Sequence, residues 1–273
     1  MRNKVFAVFV RLLFSVFLPA NVAGHPAADA HGSINVVLLG DSNTSIGGDS
    51  CNVATGWSKW FKERFAPASC ISYARSGATW SNTSRTVYAT AENISVLGDN
   101  NVIYNQINRL VEACRKGVQP VPQLIVISAG TNDAWFHGKR PGVFGKSVAD
   151  VFAVSTGYIT GRKVSSVLSL AESVRYGCEL LIEAFPDAQI VMLTPIQSAK
   201  VPADMIRKAG DVIEECGRMM GINVIRQDYG GAVYGVRGTN VRRTTGDGVH
   251  TSEYGARRNG YYIANMIAPM LHF

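Results

Sequence analysis

Short metal-binding and dithiol spacings are missing from this chain. Its five cysteines, Cys51, Cys70, Cys114, Cys178 and Cys216, never form a Cys-x-x-Cys pair, which disfavours zinc and a redox dithiol. There is no His-Glu-x-x-His and no cluster of carboxylates, so neither a metal nor an organic cofactor is expected. Charge is sparse at 17% of residues while 47% are hydrophobic, a globular balance that excludes a disordered chain. No apolar run reaches the roughly 20 residues of a bilayer span, so no stable membrane insertion is expected. The formal charge of +7 is scattered. Its densest cluster, Arg237 to Arg243, has no interleaved aromatics, and no nucleic-acid partner is expected.

Arg2, Lys4 and Arg11 precede the apolar "LLFSVFLPANVAG", followed by small residues. This reads as a leader over residues 1–30, cleaved after Ala23 or around Ala28-Asp29-Ala30, and it implies an exported protein, periplasmic or secreted. No cysteine follows closely enough for a lipid-attached terminus. In an exported protein Cys51 and Cys70 could pair. Residues 31–273 are long enough for one large core and contain no repeat or long polar linker, so a single domain is expected.

Strand and helix patterns alternate along that domain. "INVVLLG" (34–40), "QLIVISAG" ending at Gly130, "AQIVMLTP" and "INVIRQDY" read as strands, and "SCISYARSG" as a short strand leading into a loop. Helical spacing covers Gly56 to Phe65, Val102 to Lys116, Val167 to Phe185, Ala203 to Met220 and a last stretch from about Ser252 toward Met270. The expected fold class is therefore α/β, a mainly parallel sheet covered on both faces in three α/β/α layers. Sites in such folds gather beyond the carboxyl ends of the strands.

Four separated pieces carry chemistry. Ser42, in Gly40-Asp41-Ser42-Asn43-Thr44, follows the first strand and is either a helix cap or an exposed nucleophile whose own N–H faces developing charge. Gly77 is a turn glycine or a backbone donor to an oxyanion. Asn132, in Gly130-Thr131-Asn132-Asp133, offers an amide donor, with Asp133 bracing its loop. Asp247-Gly248-Val249-His250 places a carboxylate three residues before a histidine, close enough to hold the ring. Asn43-Thr44-Ser45 also fits a glycosylation acceptor, read as accidental because a glycan there would obstruct Ser42.

In this order the pieces resemble the SGNH branch of the GDSL-type esterase/lipase superfamily, over nearly all of the chain from Ile34. The resemblance implies a flavodoxin-like fold and a serine esterase. Ser42, His250 and Asp247 would be nucleophile, base and orienter, and Ser42, Gly77 and Asn132 the oxyanion donors, with Asp41 and Asp133 supporting. One departure is Ala74-Arg75-Ser76, where the family commonly has an asparagine shortly before the glycine. The substrate it implies is a carboxylic ester, preferably a short acyl (acetyl) ester on a carbohydrate or glycan. Trp80 and Trp135 are expected to line the entrance and stack on a sugar. Two alternatives keep the same residues or fold: a lysophospholipase or acyl-thioesterase, and a catalytically silent glycan-binding module.

Overall fold

A computed structural model of the chain describes residues 32–92, 94–153, 157–230 and 244–271. The leader and the Arg237 to Arg243 cluster lie outside these ranges. Five strands, β1 (Asn35–Gly40), β2 (Ser69–Ser72), β3 (Leu124–Ser128), β4 (Gln189–Leu193) and β5 (Asn223–Ile225), form one sheet of order β2-β1-β3-β4-β5. Every pairing in it is parallel. The chain leaves β1 toward β2 on one side and returns to β3 on the other. The crevice above β1 and β3 is thus the switch point where α/β folds bind ligands.

Nine helices surround the sheet among the described residues: α1 (Ser42–Ser45), α2 (Trp57–Phe65), α3 (Ile103–Arg115), α4 (Thr131–Trp135), α5 (Val148–Ala153), α6 (Leu170–Ala184), α7 (Ala203–Met220), α8 (Gln227–Gly230) and α9 (Glu253–Ile267). Period-two alternation sorts each strand's side chains between two cores. Val37, Leu39, Ile125 and Ile127 pack with α3, α5, α6 and α7. Val36, Leu38, Leu124 and Val126 pack with Trp57, Phe61 and Phe65 of α2 and with Ile263 and Ile267 of α9. Burial on both faces explains why these strands read as unbroken apolar runs.

The structure trims three of the expected elements. β3 stops at Ser128, short of Gly130, because Gly130 takes φ +121° and starts the turn into α4. "INVIRQDY" yields only Asn223–Ile225 before α8: the Gln227 N–H is taken by the Thr194 hydroxyl, which ends the ladder. The helix expected from Val167 begins at Leu170, where Ser169 and Glu172 form a reciprocal capping box.

Candidate active site

Ser42 is the first residue of α1, directly beyond β1. Asp41 caps that single turn through the Asn43 N–H at 3.0 Å. The strand end is fixed from below. Gln106 of α3 accepts from the Gly40 N–H at 2.8 Å and donates to the Gly40 carbonyl at 2.8 Å. A side chain at Gly40 would put its Cβ 2.4 Å from the Ser128 carbonyl oxygen, so β1 and β3 approach here only because the residue is glycine.

His250 and Asp247 arrive from the other end of the chain. Nε2 of His250 lies 2.8 Å from Ser42 Oγ, across a separation of 208 residues, and Nδ1 lies 2.8 Å from Asp247 Oδ2. Asp247 Oδ1 also accepts from the backbone N–H of Val249 (2.9 Å) and His250 (2.7 Å). Burial favours the neutral acid, but these backbone donors and the imidazole outweigh it and hold the Asp247 carboxyl at about 2. A carboxylate only accepts, so Nδ1 carries the ring proton and Nε2 is left to accept from the Ser42 hydroxyl. The loop that carries His250 is anchored twice. Gly248, with φ +85°, receives the Ala199 N–H at 2.7 Å, and the Thr251 hydroxyl donates to the Thr55 carbonyl at 2.7 Å.

The donor side comes from the loops after β2 and β3. Gly77 has φ +78°, and a Cβ there would lie 2.5 Å from Val96 Cγ1 and 2.9 Å from Leu97 N. Only glycine suits both the dihedral and the space. Asn132 in α4 donates through Nδ2 to the Ala78 carbonyl at 2.8 Å, which leaves its second amide hydrogen available. Asp133 accepts from Trp80 N, Ser81 N and Ser81 Oγ at 3.0, 2.9 and 2.6 Å, so the two loops move as one piece. Ser76 reaches across to Ser45, in the same turn as Ser42, at 3.0 Å. Neither the Ser42 N–H nor the Gly77 N–H meets a protein acceptor among the described residues. Burial, countered by the Asn43 amide and the Thr131 hydroxyl, pushes the Asp41 carboxyl up to about 6.

A relay of hydroxyl, imidazole and carboxylate beside unengaged N–H groups at a strand-to-helix turn is an arrangement for acyl transfer. The sequence agrees. A model of the GDSL-like lipase/acylhydrolase family matches residues 36–263. The chain belongs to this family of ester hydrolases. No curated protein sequence matches the chain. Solved structures share the fold of this family member at low identity. A carbohydrate acetylesterase from Sinorhizobium meliloti is 14% identical with a TM-score of 0.53, covering 87% of this chain and 100% of its own. A possible lipase from Chitinophaga pinensis is 14% identical at 0.56, covering 87% and 99%. The M. smegmatis aryl esterase is 14% identical at 0.51, covering 88% and 100%.

Other sequence expectations resolve differently. Trp80 is a correction: it is only 1% exposed, packed in the α3/α6 core near Ile107 and Gly177, with no face free for a sugar. Adjacency to Gly77 places its backbone, not its ring, at the site. Trp135 is half-buried and stacks on Phe136 at 5.3 Å between ring centroids. Asn43 is buried, so the acceptor pattern there is not accessible to a glycan. Cys51 and Cys70 are buried free thiols. Each thiol perturbs the other: Cys70 lowers the Cys51 thiol, and Cys51 together with burial raises that of Cys70. Two contributors were not foreseen. Gln106 could have been noticed as an amide on the apolar stripe Ile103, Ile107 and Leu110. Arg140, which donates to Thr79 Oγ1 (2.8 Å), the Ser81 carbonyl (3.0 Å) and the Leu97 carbonyl (3.1 Å), left no signal in the sequence.

Among the described residues no helix is long and apolar enough to cross a membrane, and no group of His, Cys, Asp and Glu could hold a metal ion.

Proposed function

We propose that this family member is an exported serine esterase that removes short acyl groups, acetyl above all, from carbohydrate through an acyl-enzyme. The relay Ser42–His250–Asp247, with both links at 2.8 Å, carries the proposal. His250 Nε2 takes the Ser42 proton as Oγ attacks the ester carbonyl. The oxyanion accepts hydrogen bonds from the Ser42 and Gly77 N–H groups and the free Asn132 amide hydrogen. His250 returns its proton to the departing alcohol, leaving acyl-Ser42. Water, deprotonated by the same nitrogen, then releases the acid and regenerates the hydroxyl. Asp247, ionised throughout, holds the ring and stabilises the imidazolium formed in both steps.

Arg140, which ties Thr79, Ser81 and Leu97 beside the Gly77 loop, favours a polar sugar ester over a long acyl chain. Export rests on the basic-apolar leader of residues 1–30. The assay is hydrolysis of p-nitrophenyl esters from acetate to palmitate by the wild-type chain and Ser42→Ala. Acetate is expected to turn over fastest, with the variant reduced by on the order of 10^5 in kcat. A long-chain optimum lost in the same variant would move the assignment to a lysophospholipase or thioesterase. Equal rates for both proteins would remove Ser42 as nucleophile, and binding of acetylated glycan without turnover would favour the silent module.

A further inference from the structure

The loops that carry the oxyanion donors also form the wall of a depression. A groove of about 500 Å³ runs between the loop after β2 and the chain beyond α4, with Arg85, Asp99, Phe136, Lys139 and Arg140 among its lining. Arg140 and Pro141 also border a neighbouring hollow of about 360 Å³ that holds His137, Phe144 and Lys208. Together they make one track along the protein. Arg85, Lys139, Arg140 and Lys208 face a single lining carboxylate, Asp99, which Arg85 engages at 2.8 Å. Arg140 spends its hydrogen bonds on uncharged oxygens, and neither Lys139 nor Lys208 has a carboxylate partner among the described residues. The excess of positive charge is therefore not neutralised internally. Two cations lie over aromatic faces, Lys139 at 5.6 Å from the Phe136 centroid and Lys208 at 4.6 Å from that of Phe144.

The track is built rather than loosely assembled. Asn82 in its floor donates to the Val167 carbonyl at 3.1 Å, and Thr83 Oγ1 donates to Asp99 at 2.8 Å. Its link to the reaction is direct. Leu97, which lines the groove, is the residue whose amide closes the space over Gly77, and Arg140 ties Thr79, Ser81 and Leu97 together. A chain lying in the groove thus touches the same rigid loop that presents the Gly77 N–H. Scattered cations with aromatic faces between them suit a polymer of repeated negative charges on sugar rings. Leu97, Val143, Leu168 and Met205 add apolar surface that suits the faces of sugar rings, the four cations would be left unused by an uncharged lipid tail, and a single small anion would not need two hollows.

We propose that this track binds the polysaccharide portion of the substrate, and that the substrate is an O-acylated acidic glycan bearing uronate carboxylates. The inference rests on the esterase reading above, and its test separates the two. Retardation in gels containing polygalacturonate or neutral xylan reads the track without catalysis. Hydrolysis of O-acetylated polygalacturonate, O-acetylated xylan and p-nitrophenyl acetate reads the reaction. The wild-type chain is compared with Lys139→Glu/Lys208→Glu and with Lys116→Glu/Lys163→Glu, an equal change of net charge at exposed positions off the track. Polygalacturonate is expected to retard the wild type and the off-track variant but not the track variant. Wild-type kcat/KM on the acidic acetylated polymer should exceed that on the neutral one by about tenfold at low salt, a preference that shrinks at high salt. In the track variant the rate on the acidic polymer, taken relative to p-nitrophenyl acetate on the same preparation, should fall by a similar factor. Equal retardation of both variants, or equal rates on the two polymers at every salt concentration, overturns the track. Retardation confined to the wild type and off-track variant, with no ester turned over by any of them, sustains the track as a glycan site and overturns the esterase reading instead.

Discussion

Asp41 sits beside Ser42 at a cost. Burial raises its carboxyl from 3.8 to about 6, so the folded chain holds this proton more tightly than the unfolded one does. The associated stability is fully present below about pH 4 and is lost as pH rises through about 6. The shift corresponds to about 3 kcal/mol. Asp41→Asn keeps an oxygen for the Asn43 N–H and removes the buried charge. In urea titrations it is expected to be more stable than wild type at pH 7.5, by up to about 3 kcal/mol, with the difference vanishing near pH 4. A constant difference at both pH values would mean that Asp41 acts through packing alone. Asn132 poses a different test, because its amide braces Ala78 and is also the proposed oxyanion donor. Asn132→Ala should lower kcat by roughly 10²–10³, with a smaller change in KM, since the donor it removes acts on the oxyanion and not on the ground-state ester. A rise in KM with kcat intact would assign Asn132 to substrate binding.

At the level of elements, the position of His250 depends on how closely two helices meet. His250 stands three residues before α9, whose Ser252 cap accepts from Gly255 at 3.2 Å. α9 packs on α2 through Gly260, where a Cβ would fall 2.4 Å from the Trp57 carbonyl oxygen and 2.6 Å from Trp60 Cβ. Gly260→Ala must push the helices apart. It is expected to destabilise by about 1–3 kcal/mol and to lower kcat on p-nitrophenyl acetate by moving His250 off Ser42. A melting point and rate equal to wild type would show that the α9 start is fixed by Thr251 and Gly248 alone. The same element shows how far a sequence reading goes. The strands are legible because burial on both faces leaves unbroken apolar runs, and the meeting of Ser42, His250 and Asp247 because each sits in a short motif at an element's edge. Gln106 and Arg140 are not, because each acts on backbone groups dozens of residues away, and nothing local in the chain records such a partner. Trp80 misled for the related reason that nearness in sequence to Gly77 does not decide which way a ring points.

Across the whole molecule the two cores are joined through shared strands. Val36 and Leu38 serve one core and Val37 and Leu39 the other, so neither helical layer is an independent unit. The active site depends on both, since α3 fixes Gly40 from one face and α9 follows His250 on the other. This coupling predicts that the described residues unfold as one cooperative unit. The four tryptophans are distributed so that the idea can be tested. Trp57 and Trp60 lie in α2 on one face, whereas Trp80 belongs to the opposite core and Trp135 packs against it. A chain carrying Trp80→Phe/Trp135→Phe reports the α2/α9 layer by fluorescence, and one carrying Trp57→Phe/Trp60→Phe reports the other. Within each variant, fluorescence, far-ultraviolet circular dichroism and p-nitrophenyl acetate hydrolysis should be lost at a common urea midpoint. A layer whose fluorescence changed at lower urea than the circular dichroism of the same variant would mark a separable unit. If that layer were α2/α9, hydrolysis should disappear with it, because α9 holds the start of the helix behind His250 while Ser42 stays on the sheet.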